Sequence, residues 1–175
     1  MIDSLFSIPI LNLTTSDFKR KKKAIEKVLK KYPEEEKRGL LLSNRSCTDR
    51  NLTVAFSEIF KNELDIISKL FKQNIFLKSV WSVSYRKGDF HIPHNHGSIG
   101  YAGILYLDYY PKSPPTIYIQ PWNNDEDLTH FRHPEVCEGK IVIVPRFLMH
   151  FTRPNPISKP KRIVGFDFFL RRIPQ

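Results

Sequence analysis

The chain has 175 residues, 41% hydrophobic and 26% charged, which is the size of one domain with apolar residues enough for a packed core. Its formal net charge of +10 admits a nucleic-acid partner, while no run reaches the roughly 20 apolar residues that a membrane helix requires. The opening MIDSLFSIPILNL carries Asp3 where a secretory leader carries positive charge, and Cys47 and Cys137 are too few for a disulfide framework, so the expectation is a cytoplasmic protein with reduced thiols.

Residues 4–14 alternate weakly and read as an opening strand. Thr15 and Ser16 offer N-cap oxygens, and Ile25, Val28, Leu29 and Tyr32 recur at i, i+3, i+4 and i+7. This predicts an amphipathic helix over 17–32, ended by Pro33. Eight basic residues lie between Lys19 and Lys31 and supply most of the excess charge. A charge run on one helix reads as a solvated face before it reads as a nucleic-acid site. Residues 33–52 are polar and read as a loop, and Phe56, Ile59, Phe60, Leu64, Ile67, Leu70 and Phe71 predict a second helix over 54–72.

After Lys72 the texture changes to short segments rich in Val, Ile, Tyr, Phe and Trp, at 74–87, 99–109, 115–121, 140–145, 148–153 and 161–171. Two helices followed by a run of strands predict a single α+β domain, mainly β. Residues 1–73 give a strand plus supporting helices, and residues 74–172 an antiparallel sandwich or barrel.

All six histidines lie after residue 90. His94 and His96 are two apart, so on an extended strand their imidazoles share a side and can share a metal ion. His91, at odd spacing from both, points away if the segment is extended. His150 is the best third ligand: it follows the apolar strand and proline turn of GKIVIVPRFLMH, and antiparallel pairing can return it beside the first pair. Three imidazoles suit iron, zinc, copper, cobalt or nickel and leave positions open, as in a catalytic site. His130 and His133, with Asp125, Glu126, Asp127 and Cys137, read as a polar connection between strands rather than a second metal site. Cys137 has no base or positive neighbour that would make it a nucleophile. Tyr85 and Tyr101 bracket the histidine pair and are expected to line a pocket.

Tyr85-x-x-Gly88, Pro93-His94-x-His96 and the strand Ala102–Leu107, with Gly139–Pro145, His150 and Arg162 in KRIVGFDFF, together resemble the core of the iron(II)- and 2-oxoglutarate-dependent oxygenases. The likeness is to small bacterial and phage members and spans about residues 80–170. It implies a double-stranded β-helix, or jelly roll, in which His94 is the first iron ligand, His150 the distal ligand, and His96 stands where a carboxylate is commoner. It further implies that Arg162 clamps the far carboxylate of 2-oxoglutarate, with Tyr106 beside it and Tyr85 among the cofactor-binding residues. Arg162 shares its strand parity with Val164, Phe166 and Phe168, which suggests an inward side chain. The implied reaction is a dioxygen-dependent hydroxylation of a small molecule or peptide, coupled to decarboxylation of 2-oxoglutarate. A cupin-type three-histidine dioxygenase fits many of the same residues. A non-catalytic jelly roll that binds metal or nucleic acid is the alternative from another class.

Overall fold

A computed structural model describes residues 7–38, 40–45, 49–123 and 126–171. Cys47, Asp125 and the first residues of the expected opening strand lie outside them.

The first third alternates strand and helix: β1 (Leu11–Thr14), α1 (Phe18–Leu29), β2 (Glu35–Lys37), β3 (Leu41–Ser43), α2 (Arg50–Ile59) and α3 (Lys61–Phe71). The remainder is β4 (Asn74–Tyr85), β5 (His91–His94), β6 (Tyr101–Asp108), β7 (Thr116–Asn123), β8 (Thr129–Arg132), β9 (Lys140–Pro145), β10 (His150–Thr152) and β11 (Lys161–Arg171). Every strand pair is antiparallel. Seven strands form a major sheet in the order β1-β9-β6-β11-β4-β3-β2, and four form a minor sheet in the order β5-β10-β7-β8. This is the double-stranded β-helix.

Both faces of the major sheet are buried, which is why its strands read as continuous apolar runs. One face carries Val80, Leu105, Leu107, Ile141, Ile143, Val164, Phe166 and Phe168, packed on Ile25, Leu52, Phe56, Phe60 and Ile67 of the helices. The alternate residues, Trp81, Val83, Tyr85, Ile104, Tyr106, Val142, Val144 and Ile163, face the minor sheet and fill the barrel. Two glycines let large rings cross neighbouring strands. A Cβ at Gly103 would lie 2.1 Å from the Phe166 ring, and one at Gly165 would lie 2.5 Å from Trp81.

Three sequence expectations are corrected. The polar segment 33–52 holds the β2–β3 hairpin, which extends the major sheet beyond β4. The helix expected over 54–72 is two helices, broken at Phe60 (φ −108°, ψ 24°), whose fully buried ring stacks on Phe56 at 4.6 Å. The jelly roll is therefore supported by three helices rather than two. The N-cap position of α1 is Asp17 in left-handed geometry; Ser16 donates its hydroxyl to Glu63 instead.

The basic run on α1 is partly structural. Lys21 is buried and ion-paired to Glu63 of α3 at 2.7 Å. Lys22 reaches Asp108 of β6 at 2.6 Å and Glu138 at 3.4 Å. Those two lysines fasten the helix to its neighbours; they do not present a free cationic face.

Candidate metal centre

β5 and β10 pair so that His94 lies directly opposite His150. His96 lies two residues past β5, where its backbone N–H donates to the Arg146 carbonyl at 2.9 Å. One ligand atom from each of His94, His96 and His150 lies within 4.8 Å of the others, and the ring centroids are 4.4 to 5.4 Å apart.

Each ring is held through the same nitrogen. Nδ1 of His94 lies 2.8 Å from the Ile92 carbonyl, and Nδ1 of His150 lies 2.9 Å from the Leu148 carbonyl. Nδ1 of His96 lies 2.7 Å from Oδ1 of Asp167. An Nδ1–H donated to an oxygen fixes the tautomer and turns the Nε2 lone pair toward the cluster; that of His96 faces Arg45 Nη1 at 3.4 Å, so a metal there would have to displace the guanidinium. Burial pushes His94 down to about 4, and burial with the neighbouring His94 pushes His150 down to about 3. Both are neutral at neutral pH. A trio of orientated imidazoles fits iron(II) and comparable divalent metals.

Asp167 is the residue that the sequence reading missed. It lies in the middle of β11, 2% exposed, and its second oxygen faces Arg146 at 3.4 Å and Arg45 at 4.0 Å. A carboxylate inside an otherwise apolar strand was the available signal. His91 does not point away. It stacks on His94 at 3.9 Å, faces the Tyr85 hydroxyl at 3.4 Å, and is pushed down to about 3 by burial.

Arg162 is outside the barrel. Its guanidinium pairs with Asp108 and with Glu26 of α1, the latter at 2.5 Å. It shares its strand parity with Val164, Phe166 and Phe168, and that set faces the helices. The inward cation is its neighbour Lys161. It is 0% exposed, with Nζ 2.9 Å from the Pro114 carbonyl and 4.3 Å from the Tyr85 ring centroid. Burial lowers it to about 7, and among the described residues no carboxylate pairs with it.

Tyr85 and Tyr106 both belong to the barrel interior. The Tyr106 hydroxyl accepts from the Thr116 N–H at 3.2 Å, and Tyr85 lines the histidine cavity. Tyr118, 5.8 Å from His150 between ring centroids, has a buried hydroxyl with no hydrogen-bond partner among the described residues. Tyr101, expected in the pocket, instead packs on Phe71 and Phe168 on the helix side. His130 lies on β8 and His133 just beyond it, both outside the histidine cluster, and Cys137 is exposed.

The space enclosed at the histidines is ≈30 Å³, room for an ion and about one water. It adjoins an open groove of ≈580 Å³ between the β2–β3 hairpin and β5. The buried Lys161 amine and Tyr118 hydroxyl are the interior groups whose chemistry would suit a carboxylate, and the ≈30 Å³ enclosed here would have to widen to admit a dicarboxylate.

No protein-family model and no curated sequence matches the chain. Solved structures do. The epimerase SnoN of nogalamycin biosynthesis, a non-haem α-ketoglutarate-dependent protein, superposes with a TM-score of 0.70 at 8% identity, over 91% of this chain and 77% of that one. HygX from Streptomyces hygroscopicus, with nickel, 2-oxoglutarate and hygromycin B bound, gives 0.67 at 12% identity, over 91% and 82%. A prolyl-4-hydroxylase from Pseudomonas putida gives 0.58 at 12% identity, over 93% and 92%. The chain thus shares the fold of iron(II)/2-oxoglutarate oxygenases.

Proposed function

We propose that this protein is a non-haem iron(II)- and 2-oxoglutarate-dependent dioxygenase that hydroxylates a small-molecule or peptide substrate. The observation that carries the reading is the meeting, in one barrel, of three histidines whose Nδ1 atoms are all occupied and a buried lysine with no counter-ion. His94, His96 and His150 would hold the iron through Nε2. Lys161, in place of Arg162, would take the far carboxylate of 2-oxoglutarate, with the Tyr118 and Tyr106 hydroxyls as neighbours. A buried cation of this kind favours an anion strongly, because each offsets the other's desolvation. The bound metal and cosubstrate supply the oxidising chemistry that no side chain can. The chain's own residues orient the ligand set, keep His94 and His150 neutral and close the barrel against bulk water. Asp167 holds the His96 ring, and Arg146 holds Asp167 and, through the Ile99 carbonyl at 2.9 Å, the loop after His96. An iron(II) requirement suits the reducing, cytoplasmic setting expected for the chain, and among the described residues no helix is long and apolar enough to cross a membrane.

Anaerobic addition of iron(II) and 2-oxoglutarate together should produce a visible charge-transfer absorption that neither gives alone. Iron binding without that absorption would replace this reading with the cupin-type one, which the all-histidine ligand set also fits.

A further inference from the structure

The ≈580 Å³ groove beside the histidines combines an apolar wall with an uneven charge. Leu40, Leu41, Val83 and Ile92 line it, and Trp81 closes its inner end. The groove's carboxylate, Glu36, is engaged by Arg86 at 3.6 Å, and its lysine, Lys37, by Glu35 at 2.9 Å. Two arginines remain. Arg38 stands at the mouth, where no described carboxylate lies within ion-pair distance. Arg45 stands at the inner end, stacked 4.2 Å above the Trp81 ring, with Nη1 3.4 Å from Nε2 of His96. The nearest carboxylate to Arg45 is Asp167 at 4.0 Å, which is already shared between His96 at 2.7 Å and Arg146 at 3.4 Å. One carboxylate thus serves two guanidiniums beside a cluster built of histidines alone.

We infer that the groove binds a small substrate with a flat or apolar body and a carboxylate or phosphate group, and that Arg45 recognises this anion next to the metal. This rests on the oxygenase reading only for the word substrate; the anion preference follows from the groove itself. Arg45 suits the role because its planar fork matches a carboxylate or phosphate oxygen pair, and its stacking on Trp81 holds the fork in place beforehand. The apolar wall takes the body of the ligand, as in most small-molecule sites. Arg38 adds long-range attraction at the entrance.

The test is binding rather than turnover. Benzoate, phenyl phosphate, benzamide and benzylamine are titrated by protein-observed NMR into zinc-loaded protein saturated with 2-oxoglutarate, and separately into metal-free protein. The anions should bind at least about 10-fold more tightly than the amide, with shifts at Trp81 and Ile92, and benzylamine should bind weakest. The benzoate and phenyl phosphate arms separate a carboxylate from a phosphate ligand. R45Q should remove about 10-fold or more of the anion preference while leaving benzamide unchanged, whereas R162Q should leave both unchanged. Equal binding of anion and amide by the wild type, or an anion preference that survives R45Q, would overturn the assignment. Failure of the oxygenase reading would show separately, as 2-oxoglutarate failing to bind the zinc-loaded wild type, with the anion preference in metal-free protein still to be read.

Discussion

Lys161 and Arg162 are neighbours on β11, and their side chains lie on opposite faces of the major sheet. Arg162 meets Asp108 and Glu26 beside α1, while Lys161 is sealed in the barrel over the Tyr85 ring. The two basic residues therefore answer to different experiments. K161M should abolish detectable 2-oxoglutarate binding in calorimetry, a loss of about 100-fold or more, with zinc affinity retained. R162M should keep 2-oxoglutarate binding. It should lower stability by about 1 kcal/mol in urea unfolding, since Arg162 and Glu26 are partly exposed and the buried Asp108 keeps Lys22.

The pH dependence of the metal-free protein follows from the same lysine and from the histidines. Lys161 sits near 7 when folded and near 10.4 when unfolded. Between those values the unfolded chain holds a proton that the folded chain has released, so stability rises with pH across that window. K161M should flatten the rise in melting temperature from pH 7 to 10 and melt higher than the parent at pH 7. On the acid side, His91, His94 and His150 are depressed to about 3 to 4, so their contribution is complete above 6.5 and is lost as pH falls toward 4. His94 and His150 should consequently remain available to a metal well below pH 6.5 for as long as the fold survives. Loss of zinc near pH 6.5 with circular dichroism unchanged would contradict these environments.

Asp167 and His96 should behave as a unit. H96A should lower iron affinity by roughly 10-fold or more, and D167N should lower it by about 10-fold through loss of ring orientation and basicity. H96D, which would give two histidines and a carboxylate, should retain iron and should no longer respond to D167N. Dissociation constants for iron(II) under anaerobic conditions measure all three.

The Lys21–Glu63 pair predicts what the basic helix is for. E63Q leaves the buried Lys21 charge facing a neutral amide and should cost about 3 kcal/mol in chemical unfolding. A test of nucleic-acid binding by charge removal therefore belongs at Lys23, Lys27 and Lys30. Neutralising Lys21 or Lys22 would instead loosen the helix. With Lys21 and Lys22 committed to the fold, K23Q/K27Q/K30Q should leave a shallow salt slope for DNA binding unchanged.

The histidine cluster was legible because it obeys short-range rules: two histidines at period two, and a third after a strand and a turn. The buried lysine proposed as the clamp was not. Alternation along β11 sorts Lys161, Ile163, Gly165 and Asp167 from Arg162, Val164, Phe166 and Phe168, yet it does not say which set faces the barrel when both faces of a sheet are buried. Large apolar residues marked the helix side, and the polar set marked the site. The β2–β3 hairpin was hidden because three-residue strands in a charged segment have no periodicity to read. The break at Phe60 carries neither Gly nor Pro, and packing of its ring on Phe56 holds the corner.

The environment of Lys161 also sets what state the protein rests in. Lowered to about 7 and, among the described residues, without a carboxylate, the amine is only partly charged near neutrality, and an anion that reached it would hold the proton in place and add stability in proportion to the logarithm of its concentration. The amount of native protein then follows the supply of that anion. Starving a culture of the dicarboxylate should shorten the wild-type protein's lifetime and leave that of K161M unchanged.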